Sequence, residues 1–256
     1  MDQTGCSRII CRQLRRLGVS PGDTILVHSS FKSLGRVPGG IETVIQGLLG
    51  AIGKNGTLMM PGLSWSLRPP DIFDVKQTPS NVGAIPEYFR TRENTLRSIH
   101  PTHSVCATGK HAEDFLLNHE ADCTPCGVNS PFHKITERGG KIVMLGCGLK
   151  PNTTMHAIEE RIMPPYLPGP EYMFTIRDYF GRKYRKEYIT HGFRSKGYIQ
   201  RYDRITELNT SCFLEQGRVL AASAYLLHGP GFQSAVIDKL RHDPFFFVDK
   251  APVAHG

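Results

Sequence analysis

Thr24-Ile25-Leu26-Val27-His28, the loop Ser29-Ser30-Phe31-Lys32-Ser33-Leu34-Gly35, and Gly56-Thr57-Leu58-Met59-Met60-Pro61 frame the stretch that decides the fold. The first and last segments are short, continuously apolar and bounded by turn residues, which is how strands buried on both faces read. Between them Gly39-Gly40 precede a helical run from Ile41 to Ile52, closed by Gly53. Strand, helix and strand at this spacing predict a βαβ unit with a parallel sheet.

The pattern extends in both directions. Residues 4–18 carry Ile9, Ile10, Leu14 and Leu17 on one helical stripe, and Pro21-Gly22-Asp23 makes a turn. Residues 62–82 are rich in Pro and Ser, hold the single Trp65, and read as one long loop. Helices are expected over 84–91, 112–118, 130–138 and 232–241. Strands are expected over 104–108, 141–145, 172–176 and 184–190, and 219–227 reads as an apolar central element. With no repeat and no linker, the expectation is one α/β domain over 1–256. Its sheet should be mixed but mainly parallel, with helices on both faces.

Composition narrows the function. Of 256 residues, 39% are hydrophobic and 21% charged, the balance of a soluble globular chain. No apolar run reaches the roughly 18 residues of a membrane span, and Met1–Cys6 lacks the features of a signal peptide, so the expected location is the cytoplasm. Seven cysteines in irregular spacing do not suggest a disulfide framework. Cys123-Thr124-Pro125-Cys126 has no second ligand pair in evidence for zinc, and reads as a loop with reduced thiols. The net charge is +8, and much of the excess falls between Arg177 and Arg204. A solvated basic face is the ordinary explanation. An anionic ligand is the functional one. Nucleic acid is not expected, because no helix-turn-helix, RNP or zinc-finger pattern accompanies the charge.

The chemistry-bearing stretch is Asn152-Thr153-Thr154-Met155-His156-Ala157-Ile158-Glu159, just after the strand Ile142–Leu145 and the turn Gly146-Cys147-Gly148. Thr153 or Thr154 can cap a helix, and His156 and Glu159 then share one face. A carboxylate one turn from an imidazole can fix its tautomer and raise its basicity, as a general base requires. His and Glu at this spacing also stabilise ordinary helices. A second cluster, Arg97-Ser98-Ile99-His100-Pro101-Thr102-His103-Ser104-Val105, is either a Pro-ordered loop or a source of metal ligands.

Taken in order, Val27–Ser30, Phe73-Asp74, Thr78–Gly83, Ile85–Arg90, Arg97–Val105, Ser130–Phe132 and Thr153–Glu159 resemble the aminoglycoside N(3)-acetyltransferase family, an α/β fold distinct from the common GNAT acetyltransferases. The resemblance is strong over roughly 8–165 and loose beyond. It implies transfer of an acyl group from acetyl-CoA or another acyl-CoA to a small-molecule primary amine on a sugar. It makes His156 the base and Glu159 its orienting partner. It assigns Ser29, Ser30, Phe31, Lys32, Ser33, His103, Ser104 and Val105 to the coenzyme A channel, and Asp74 to the acceptor side. Arg161 would support the helix.

An ammonium has no lone pair, so it must lose a proton before attacking a thioester, and an imidazole suits that task. Ser29, Ser30 and Ser104 are candidate oxyanion donors. Direct attack in a ternary complex is expected, with a route through Cys106 or Cys147 as the alternative. Aminoglycosides are polycations, whereas this chain is basic. The expected acceptor is therefore a nucleotide-linked amino sugar held by Arg194 and Arg201, with an aminoglycoside as the alternative. No resident metal is expected. Two readings from other classes are a metal hydrolase using His28, His100, His103 and a carboxylate, and a basic protein that binds nucleic acid or another polyanion. The apolar end Pro244–Val248 either closes the core or meets a second subunit in a homo-oligomer.

Overall fold

The computed structural model describes residues 2–252. In chain order the elements are α1 (Gln3–Arg16), β1 (Thr24–Ser29), α2 (Gly40–Ile52), β2 (Thr57–Pro61), β3 (Ile72–Asp74), α3 (Ala84–Thr91), β4 (Leu96–Arg97), β5 (Val105–Gly109), α4 (Ala112–Leu116), α5 (Pro131–Glu137), β6 (Lys141–Leu145), α6 (Thr154–Ile162), β7 (Pro168–Arg177), β8 (Lys183–His191), β9 (Tyr198–Gln200), β10 (Leu214–Val219), β11 (Ala222–His228), α7 (Gly229–His242) and β12 (Val248–Lys250).

The alternation along β1 sets the layers. Ile25 and Val27 enter one core with Ile10 and Leu14 of α1, Leu48 of α2 and Phe89 of α3. Leu26 points the other way, into a core with Phe132 of α5, Ile158 of α6 and Val236 of α7. Successive strand side chains face opposite sides, so both faces of the sheet are covered by helices. Gly47 lets α2 approach α1 closely, since a Cβ there would sit 2.5 Å from Ile10 Cγ2.

The central sheet has seven strands in the order β10-β11-β6-β1-β2-β5-β4. Only β6-β1-β2 run parallel. The flanking pairings β2-β5, β4-β5, β6-β11 and β10-β11 are antiparallel, so the sheet is mixed but not mainly parallel. Core strands buried on both faces are apolar throughout in either orientation, which hides strand direction from the sequence. The run 219–227 is likewise not one element. Leu220 at φ +52° turns the chain between β10 and β11.

Two small sheets flank the main one, β3-β7-β8 and β9-β12. The 62–82 loop therefore contains a strand, β3, which pairs in parallel with β7. Phe247 is fully buried and Val248 nearly so, while Phe245 is partly exposed; the apolar end closes the core. No helix among the described residues is long and apolar enough to cross a membrane.

Candidate active site

Strands β1, β2 and β6 end on one edge of the sheet, and β5 begins there, because Pro61 of β2 pairs with Val105. That edge collects His28 at the end of β1, His103 just before β5, and α6 just after β6. Helix α6 starts at Thr154, whose N–H donates to Asn152 Oδ1 at 3.1 Å. Thr153 makes no side-chain cap, so the capping role expected of the threonines falls to Asn152.

His156 and Glu159 meet as their spacing predicts, with Nδ1 3.2 Å from Oε2. Glu159 is fully buried. Two tyrosines donate to it, Tyr202 to Oε2 at 2.6 Å and Tyr166 to Oε1 at 2.8 Å. Burial beside this carboxylate raises both phenols, so both stay protonated. The Tyr202 oxygen also lies 2.8 Å from His156 Nδ1. With its hydrogen given to Glu159, that oxygen accepts from the ring, and the network assigns the proton to Nδ1. Nε2 then carries the lone pair. Among the described residues its one hydrogen bond is a long 3.4 Å approach from the Gln200 amide.

A second imidazole–carboxylate pair lies alongside. His191, at the end of β8, places Nε2 2.8 Å from Oε1 of Glu160, and the two imidazole centroids of His156 and His191 are 4.5 Å apart. Burial pushes His191 well down and Glu160 up, so the ring is neutral. His103 is likewise held well below the usual imidazole range by burial and its histidine neighbours, and Nδ1 sits 2.9 Å from Thr102 Oγ1.

His103, His156, His191, Gln200 and Tyr202 line a cleft of roughly 450 Å³ that also meets Trp65, Arg68, Lys150, Asn152, Phe193 and Arg194. A narrower branch of roughly 230 Å³ shares Leu63, Val82, Pro151 and Thr153 with it and runs to His28, Ser29 and Cys147. Buried side-chain atoms without protein partners include Ser29 Oγ and Asn152 Nδ2 on these walls.

The other expected site residues are divided. Ser29 and His103 line the cavity. Ser30 accepts from Ser33 at 3.0 Å outside it, Lys32 begins an exposed 3-10 turn, and Phe31 packs toward the α1–α2 core. Ser104 and Val105 are fully buried in structural roles. Ser104 Oγ donates to Gly62 O at 2.8 Å and accepts from Arg97 Nε at 2.9 Å. That leaves it no free donor for an oxyanion. The guanidinium also bonds Gly62 O and Thr78 O, fastening the loops that wall the cleft. Asp74 accepts from the amides of Lys76 and Gln77 and pairs with Arg177, away from the cleft wall. Arg194 lines the cleft, whereas Arg201 pairs with Asp203 and Asp249 outside it. Arg161 bridges to Glu137 of α5 at 2.8 Å, as a helix support should.

The thiols are poor nucleophiles. Burial raises Cys106 to about 12 and Cys147 to about 11, so neither supplies thiolate near neutral pH. His100, expected as a possible metal ligand, accepts the His103 amide at 2.9 Å through Nδ1 and stacks on His119. Tyr202, Tyr166, His191, Glu160 and Gln200 were not legible as site residues. Their place in the site is set by contacts between residues from separate elements of the chain, except for Glu160, which is masked by its neighbour Glu159.

The family model described as aminoglycoside 3-N-acetyltransferase matches residues 26–240. The chain belongs to this family. It is thus an acyl-CoA-dependent N-acyltransferase, with acyl-CoA as co-substrate. Aminoglycoside N(3)-acetyltransferase IV from Salmonella sp is 31% identical over 238 residues, spanning 92% of this chain and 87% of that protein. A histidine-to-alanine variant of aminoglycoside acetyltransferase AAC(3)-IVa in complex with a gentamicin superposes with TM-score 0.80 at 29% identity, covering 93% of this chain and 89% of that one. The AAC-IIIb enzyme in binary complex with CoASH superposes with TM-score 0.80 at 26% identity, covering 98% and 99%.

Proposed function

We propose that this acyltransferase acetylates a primary amine of an aminoglycoside-type amino sugar, with His156 as general base. The observation that carries the reading is the proton network: Glu159 and Tyr202 hold Nδ1–H, which leaves the Nε2 lone pair facing the cleft. A base needs that geometry before any particular pKa. His156 takes the proton from the incoming ammonium, and the buried carboxylate stabilises the imidazolium that results.

The cavity suits a thioester carried on a long polar arm. The branch past Ser29 is narrow, and its walls offer donors with no protein partner. When bound, acyl-CoA supplies an activated carbonyl. Asn152 Nδ2 and Ser29 Oγ are the unspent donors available to charge developing on its oxygen. Arg68, Lys150 and Arg194 on the cleft wall favour an anionic co-substrate.

The relatives support an aminoglycoside-type acceptor over the nucleotide-linked sugar that the basic segment suggested. Four of that segment's nine cations are paired with carboxylates. Arg177 pairs with Asp74, Arg182 with Asp178, and Arg201 and Arg204 with Asp249. Of its cations, Arg194 lines the cleft. A panel of amines with acetyl-CoA tests the assignment. Gentamicin-type amines should turn over with release of free coenzyme A, and turnover confined to nucleotide-linked amino sugars would reverse it.

A further inference from the structure

Three imidazoles from distant parts of the chain converge in the cleft. One ring nitrogen from each of His103, His156 and His191 lies within 4.8 Å of the other two. They come from the loop before β5, the first turn of α6 and the end of β8. The rings are held rather than loosely gathered. His156 Nδ1 is fixed by Glu159 and Tyr202, His191 Nε2 by Glu160, and His103 Nδ1 by Thr102. Each imidazole therefore keeps one nitrogen with no strong partner among the described residues.

That arrangement is how proteins prepare histidines for a transition metal: one ring nitrogen binds the ion while the other is oriented by a carboxylate or hydroxyl. Tetrahedral zinc at about 2.0–2.1 Å from each nitrogen needs ligands about 3.4 Å apart. The three nitrogens already lie within 4.8 Å of one another, so a closure of at most about 1.4 Å reaches that spacing. Two outer carboxylates, Glu159 and Glu160, match a divalent charge, and the open cleft leaves a fourth position for water.

We propose that His103, His156 and His191 form an inhibitory divalent-metal site, of the zinc class, that competes with acyl transfer. The ion and the acceptor's proton require the same His156 lone pair, so occupancy and turnover exclude one another. The ion is not a cofactor. The exclusion rests on His156 being the base, whereas the coordination does not.

The test starts with full-length protein stripped by chelator and dialysed against zinc ion, with bound metal measured directly. Cobalt(II) substitution reports geometry. One equivalent of zinc should bind, and the cobalt form should show the intense visible bands of tetrahedral coordination. His191→Ala should weaken binding at least about tenfold and Glu160→Gln about tenfold to a hundredfold. The stripped enzyme should be active and lose turnover in proportion to occupancy. A weak octahedral cobalt spectrum in the wild type, or undiminished zinc binding in His191→Ala, overturns the site whether or not the variants fold well. Tetrahedral binding without loss of turnover overturns the exclusion. Binding is read independently of activity, so failure of the acyl-transfer reading is separable.

Discussion

The Tyr202 hydroxyl donates to the buried carboxylate of Glu159 across 2.6 Å. The two residues lie on separate elements, a 3-10 turn after β9 and the middle of α6. Their bond is what turns the other face of the same hydroxyl into an acceptor for His156 Nδ1–H. The tautomer of the base is thus set by a residue 46 positions away.

Tyr202→Phe removes the hydroxyl and leaves the ring. A hydrogen bond to a charged group contributes about 1.5–3 kcal/mol, so kcat should fall roughly tenfold to a hundredfold. The KM for acyl-CoA should barely move, because the loss is in orientation of the base. Steady-state kinetics with varied acyl-CoA separates the two, and a purely structural role would instead lower the yield of active protein at unchanged kcat.

Acid should destabilise this fold early. Burial lowers both His28 and His119 to about 3, from an unfolded value near 6.5. Their neutral forms are favoured in the folded chain, so the unfolded chain binds more protons between those values. Stability is then present above about pH 6.5 and lost as pH falls toward 3, by up to about 1.4 kcal/mol per pH unit for each ring. His100, His103 and His191 shift in the same direction and add to the slope. Urea unfolding at a series of pH values measures it, and a flat profile from pH 7 to 5 would contradict these burials.

Acyl-CoA without an amine should give no burst of free coenzyme A. A covalent route through cysteine needs a thiolate, and Cys106 and Cys147 are both held protonated by burial. A rapid-quench thiol assay at high enzyme concentration should show only slow hydrolysis. One equivalent of thiol released within the time of a single turnover would point to an acyl-enzyme.

Much of this architecture was readable because local pattern and tertiary role coincide. The apolar runs at 24–28, 57–61 and 141–145 are strands, and His156 meets Glu159 because a helix turn puts them together. What failed to show depends on distance in the chain. The direction of β5, β10 and β11 is set by where connections return, and strands covered on both faces look alike in either sense. Tyr202 and His191 join the site only through the β8–β9 return, and Glu160 of α6 becomes a site residue only through the His191 that meets it. Ser104 looked like a ligand-binding serine, but its hydroxyl is spent on the buried Arg97. The basic stretch after Arg177 suggested an anionic acceptor until its partners, among them Asp74, Asp178 and Asp249, were in view.

The measurement that bears most directly on the account is single-turnover acetyl transfer by His156→Ala, preloaded with acetyl-CoA and mixed with an amine acceptor across a range of pH. The account predicts a rate lower by about 10²–10⁴ near neutral pH, with coenzyme A affinity close to that of the wild type. Wild-type rates in the variant at every pH would contradict it.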